Sequence, residues 1–415
     1  MGERKYFLDW LRVSAFGFLI LFHVGMLYVS WPFNLKSPRL VPEIEPYMTA
    51  LGAFRLPLLF FISGVASRFL IARLGAGAFA RDRVRRLLPV ILLGMFVVIP
   101  PQTYIELVAR GIWHGDYLTF WFTQYLPADQ TLVRPLHQTM PTWDHLWFVV
   151  YLFFYTLGFA ALFAIKSRVH PPREGGSKFA RANFGEGSSA STGPTPKNPS
   201  DFSTLPQGEG GGAIARQRIP IAVLVVAPAL WLAATNLLIF FKYPDTHALI
   251  GDWGAHLKWI GMFALGASCA GTDAFWDTLR RYRFAFLAAA APLLAIQSFI
   301  NDPWWTFFNG LYAWPVICAL AGYAMTYVNR PSAALSHLNE AVLPIYVLHQ
   351  PILLFAAWYF FPLRLPLAVE ALAIAAVTAA GCFLIYEVAI SPFGIMRTLF
   401  GLKPKSQRVA AVAVA

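Results

Sequence analysis

The sequence predicts an all-α membrane protein, a polytopic bundle of about ten transmembrane helices with both termini in the cytoplasm. Three observations predict it. Of 415 residues, 57% are hydrophobic and only 13% charged, a balance that would aggregate in water and belongs in a bilayer. The apolar residues fall into runs near the ~20 residues that a crossing helix needs. The net charge of +12 gathers in alternate short connectors, such as Arg4 and Lys5, Arg81 to Arg86, Lys166 to Arg173, Arg216 and Arg218, Arg280 to Arg283, and Arg397 to Arg408. That is the pattern of positive-inside loops and not of a nucleic-acid-binding surface, so no nucleic-acid partner is expected.

Taken in order, the spans are expected near residues 6–29, 47–72, 87–109, 144–165, 219–241, 256–272, 284–300, 305–328, 340–361 and 367–390. Residues 1–165 form the first part of the membrane domain and 219–392 its remainder. Between them, 166–218 is a Gly/Ser/Pro-rich stretch that cannot bury a core and reads as a disordered cytoplasmic linker. A basic cytoplasmic tail occupies 393–415. The aromatic connector from Gly111 to Trp143 is too interrupted to span and reads as an amphipathic lid at the outer interface. Asp9 and Arg12 break the opening apolar run, which argues for an uncleaved first span over a signal peptide. Three cysteines, Cys269, Cys318 and Cys382, make no ligand spacing; neither a metal nor a disulfide framework is expected.

The first span, YFLDWLRVSAFGFLILFHVGMLY, carries Asp9, Arg12 and His23 inside an apolar run, where ionisable side chains are costly and suggest function. Arg12 and His23 are eleven positions apart. At about 100° per residue they share one face, separated by roughly 16 Å along the axis. Asp9 sits one turn before Arg12 and can neutralise it; an ion pair with a packed histidine is the bland alternative. In the second span, FRLPLLFFISGVASRFL, Arg55 is expected at a depth near that of His23, either as a stabiliser of developing negative charge or snorkelling outward. Below it, Arg68 and the run RDRVRRLLP, with Arg83 and Arg86, suit anionic lipid or the phosphates of a cytoplasmic nucleotide-bearing donor. Asp144 and His145 open the fourth span, where a cap is the ordinary role. The ninth, LNEAVLPIYVLHQPILLF, places His349 and Gln350 nine or ten residues in, beside the ladder break at Pro351. Glu387 is expected near the cytoplasmic rim, snorkelling or paired with Arg397.

RKYFLDWLRVSAFGFLILFHVG, FRLPLLFFISGVASRFL with its basic run, DHLWFVVYLFFY and PIYVLHQPILL occur in that order. Together they resemble the integral-membrane acyltransferase family 3, with Arg12 and His23 matching its Arg-x10-His signature. The FLDWLR and LPIYVLHQP forms look closest to the branch named for glucan biosynthesis protein C. The resemblance implies a multi-pass inner-membrane enzyme. It would take an acyl group, acetyl or succinyl, from cytoplasmic acyl-CoA and place it on a hydroxyl of an exported glycan or other external acceptor. It carries over His23 as the catalytic histidine and Arg12 as its paired residue; Arg55 falls in the second family segment. Beside it we expect Arg55 at the oxyanion, Arg68, Arg83 and Arg86 on the acyl-CoA, and His349, Gln350 and His145 as substrate-binding residues. Intramembrane ionisable residues also suit a proton-coupled transporter or flippase, but no paired broken helices or internal repeat support one.

Overall fold

The computed structural model describes residues 5–127, 140–169 and 220–404, and these contain helix and no strand. The expected linker, apart from its first four residues, and the tail beyond 404 lie outside the described residues. Among the described residues, eight helical stretches are long and apolar enough to cross a membrane: Tyr6–Met26, Pro42–Leu74, Ala76–Ala109, Asp144–Val169, Ile221–Phe241, Trp304–Tyr327, Ala333–Leu363 and Leu367–Ile390. The two other expected spans exist as shorter helices, Trp253–Cys269 of 17 residues and Arg283–Ile296 of 14. The chain is therefore an all-α, multi-pass membrane protein.

We number the helices α1 (Tyr6–Met26), α2 (Glu45–Leu74), α3 (Ala76–Leu93), α4 (Pro100–Ala109), α5 (Tyr117–Phe120) and α6 (Trp147–Val169). After the linker come α7 (Ile221–Phe241), α8 (Trp253–Cys269), α9 (Asp273–Arg281), α10 (Arg283–Ile296), α11 (Trp304–Tyr327), α12 (Ala333–Phe360), α13 (Leu367–Ile385) and α14 (Gly394–Leu399). Lys5 and Lys403 lie at one end of the bundle, called the near end below. The 27–41 connector and α5 lie at the far end.

Two helices begin earlier than expected. The third span starts at Ala76 and not at 87, because the basic run is built of good helix formers and Phe79 is anchored with Ile71 and Ala160. Arg83 and Arg86, three apart, then share one helix face, while Arg81 and Arg85 point to the exterior. The ninth span starts at Ala333, its N-terminus capped by the Ser332 hydroxyl, which puts His349 sixteen residues in and nearer the far end than a start at 340 would. Glu387 pairs with His337 at 2.6 Å; Arg397 instead takes Glu340 at 2.6 Å and the Lys403 carbonyl. Asp144 makes no side-chain cap.

Packing in a bilayer rewards close backbone approach, and small residues permit it. Gly64 of α2 and Gly266 of α8 meet across one crossing: a Cβ on Gly64 would stand 1.9 Å from the Phe263 carbonyl oxygen, and one on Gly266 2.0 Å from that of Phe61. Aromatic rings fill the layers above and below, with Phe60 stacked on Trp259 and edge-on to Phe148. All three cysteines are buried and free. α1 packs against α12, α2 and α13, which brings its polar face to the middle of the bundle.

Candidate active site

α1 delivers His23 and α12 delivers His349 to one point. His349 Nε2 lies 3.2 Å from His23 Nδ1, with ring centroids 4.9 Å apart. Carbonyl oxygens only accept hydrogen bonds, so each ring nitrogen that faces one carries the proton. His349 Nδ1 faces the Tyr346 carbonyl at 2.6 Å, which leaves its Nε2 as a lone pair. His23 Nδ1 faces the Leu19 carbonyl at 2.9 Å and shares its proton with that lone pair. The consequence is that His23 Nε2 is bare, the form a general base requires.

A third ring joins them. Pro351 has no N–H to give the Val347 carbonyl, the partner it would have in an unbroken helix. His145 Nε2 fills that role, donating to Val347 at 3.1 Å, and stands edge-on to His349 with centroids 5.3 Å apart. The Tyr346 hydroxyl returns a bond to the His145 carbonyl. The proline break thus does not open a void: it docks one span onto another. Asp144, just before His145, is held in the left-handed region at φ 34°, a strain typical of sites where geometry is fixed by surrounding structure.

Arg55 is buried, 5% exposed, and does not snorkel. Its guanidinium carbon lies 4.0 Å from the centroid of Phe22, the residue before His23, and Phe22 stands edge-on to the His23 ring. Nε and Nη1 of Arg55 have no hydrogen-bond partner among the described residues. A buried cation with unengaged donors is suited to receive negative charge.

A network that the sequence reading did not single out supports this layer from the far end. Asn34, in the 27–41 connector, gives Nδ2 to Glu106 at 2.6 Å and to Asp144 at 3.4 Å, and its Oδ1 accepts from Gln350 Nε2 at 3.0 Å. Gln102 donates to Asp144, and Arg110 pairs with Glu106 at 2.5 Å. Glu106, 3% exposed within a span, had the signal that marked His23, an acid in an apolar run. Asn34 had none.

At the near end lies a cavity of about 560 Å³ whose wall includes Arg12, Arg83, Arg86, Ser67, Thr156 and Arg397. Arg12 is 3.4 Å from Asp9, Arg83 pairs with Asp82, and Arg86 Nε donates to the Gly401 carbonyl at 3.0 Å. Arg68 is not part of this wall: it is exposed, with Phe163 its aromatic neighbour at 5.8 Å. Phe16, Leu59 and Phe148 line the deep end of the cavity. Tyr346 meets Phe16 at 5.4 Å and Phe148 at 6.1 Å and is stacked against His349 on its other side. One layer of rings therefore separates the arginine cavity from the histidines.

A buried histidine pair beside a buried arginine, over a cationic cavity in a polytopic bundle, is an arrangement suited to group transfer. The comparisons narrow it. A family model described as an acyltransferase domain matches residues 5–387, and the chain belongs to this family, acyltransferase family 3. No curated protein and no solved structure matches. The protein is a multi-pass membrane acyltransferase.

Proposed function

We propose that the protein is an inner-membrane O-acyltransferase. It moves an acetyl or succinyl group from cytoplasmic acyl-CoA to a hydroxyl of an exported glycan, the chemistry of the glucan biosynthesis protein C branch. The observation that carries this reading is the bare Nε2 of His23, fixed by the His349 and Leu19 contacts above a cavity rimmed by Arg12, Arg83 and Arg86. The near end is the cytoplasmic one, in keeping with its arginines.

The three arginines hold the phosphates of the donor, and the thioester reaches past Phe16 and Tyr346 toward His23. The acceptor oxygen attacks the thioester carbonyl while His23 Nε2 takes its proton. Arg55 stabilises the tetrahedral oxyanion. Collapse breaks the C–S bond, and the thiolate recovers the proton from His23. His349 is a positioning residue here: its lone pair accepts the His23 Nδ1 proton more strongly once the ring is charged. His145 and Gln350 hold His349 and Asn34 in register and so act on the acceptor side through them.

Purified protein is given labelled acyl-CoA and the isolated glycan, and label is followed into ester. Transfer by wild type and its loss in His23→Ala and His23→Gln supports the reading. Transfer persisting in both variants removes His23 as the base. Mass spectrometry of surface glycans with and without the protein names the acyl group. Movement of glycan across vesicles without ester formation would instead indicate a transporter.

A further inference from the structure

The far end carries a second concavity, a groove of about 480 Å³ in the 27–41 connector, walled by Trp31, Phe33, Asn34, Lys36, Leu40 and Arg110 among others. It is not the arginine cavity, and of its wall the reaction above has drawn on Asn34 alone. Two of its wall residues connect to the histidine layer. The Phe33 ring lies 5.9 Å from that of His23, and Asn34 bonds Gln350, the neighbour of His349.

The groove is preformed. Lys36 Nζ donates to the carbonyls of Met26, at 2.6 Å, and Val29, thereby satisfying orphaned acceptors at the C-terminal end of α1. Burial lowers the Lys36 pKa below its ordinary value, with Glu45 opposing. Ser37 N donates to Leu27 O at 2.8 Å and Val41 N to Tyr28 O at 2.7 Å, closing the connector on itself. Arg39 ties it to Glu370 of α13 at 2.6 Å.

Its lining is also distinctive. Trp31 and Phe33 supply aromatic rings, Ser30 and Ser37 supply hydroxyls, and no carboxylate lines it. Both cations are committed, Lys36 to the helix end and Arg110 to Glu106. Aromatic faces beside neutral hydrogen-bonding groups match a saccharide, which presents C–H faces and hydroxyl edges; they match neither a polyphosphate nor an acyl chain.

We infer that this groove is the acceptor subsite, in which a neutral saccharide segment lies along Trp31 and Phe33 with one hydroxyl directed past Asn34 to His23. The inference rests on the proposed acyl transfer and adds to it where the acceptor binds and what selects it.

Leu40, 49% exposed on the groove wall, gives access for a test, since the native cysteines are all buried. The Leu40→Cys variant is modified with a bulky membrane-impermeant maleimide. Transfer to the isolated glycan should fall by at least about tenfold, the equivalent of ~1.4 kcal/mol in acceptor binding, while binding of labelled acyl-CoA is unchanged. Trp31→Ala should raise the acceptor KM by a similar factor and leave the acyl-CoA KM alone. Full transfer after modification, or an unaltered acceptor KM in Trp31→Ala, overturns the assignment. If wild type transfers no acyl group, the functional reading has failed, and the groove is judged by labelling alone. Glycan then slows modification of Leu40→Cys if the groove is a saccharide site and has no effect if it is not.

Discussion

The histidine layer and the arginine cavity face each other across one sheet of rings, yet they are built on opposite plans. In the histidine layer every imidazole is fixed by a backbone carbonyl: Leu19 for His23, Tyr346 for His349, Val347 for His145. In the cavity the cations sit on long side chains at a wall: Arg12 and Arg83 each have a carboxylate in reach, and Arg86 and Arg397 reach carbonyls of the 401–403 segment. Chemistry at a single atom demands one tautomer and one angle, which only short bonds to the main chain enforce. Holding a polyanion tolerates several arrangements of several charges. The contrast predicts that single changes in the upper layer are severe and those in the cavity graded.

The largest effect should come from His23. His23→Ala removes one imidazole from an apolar helix and should leave the protein inserted, but transfer should fall by at least ~10²-fold; His23→Gln, which cannot take the proton, should be as inactive. Arg55→Ala should cost about 10²-fold in kcat with acyl-CoA binding retained, the usual effect of losing one oxyanion donor. An equal loss of donor affinity would move Arg55 from the chemistry to the cavity.

Arg12→Ala and Arg86→Ala sharpen the other side of the comparison. Each should weaken acyl-CoA by about 1.5 to 3 kcal/mol, read as a raised KM, if it makes a charge-assisted phosphate contact. Smaller still, His145→Ala should destabilise the fold by ~1 to 3 kcal/mol, because the Val347 carbonyl would lose its partner inside the bundle. Pro351→Ala, which restores the backbone donor, should make that loss milder when the two changes are combined; simple additivity in thermal unfolding would break the link. Arg68→Ala, on an exposed site away from the cavity, should change acyl-CoA KM and stability by less than about 0.5 kcal/mol.

Much of this layout is legible in the sequence, for one physical reason. An ionisable group inside an apolar run is conspicuous, so His23, Arg55 and His349 stand out, and helix geometry alone places Arg12 and His23 on one face. Where the sequence misleads, the rule in use depends on position along a helix. Arg68 and Arg83 read as one basic cluster, but they stand on different helices, α2 and α3, and of the two it is Arg83 that lines the cavity. The depth of His349 shifts because its helix starts seven residues before the hydrophobic run suggests. Asn34 is an ordinary loop residue whose partner, Gln350, is 316 positions away, and no local pattern encodes such a meeting. Gln102 becomes notable only because Asp144 arrives from another span.

The crossing of Gly64 with Gly266 bears on how the two compartments can communicate at all. At that crossing backbone meets backbone, with no side chain to compress or swing, and the Phe60–Trp259 stack locks α2 and α8 together beside it. They behave as the stator of the machine. Leu59 rides on that fixed wall, whereas Phe16, Phe148 and Tyr346 ride on α1, α6 and α12. A path from the cavity to His23, which the proposed reaction requires, would therefore open through the rings carried by α1, α6 and α12 and not by a parting of α2 from α8.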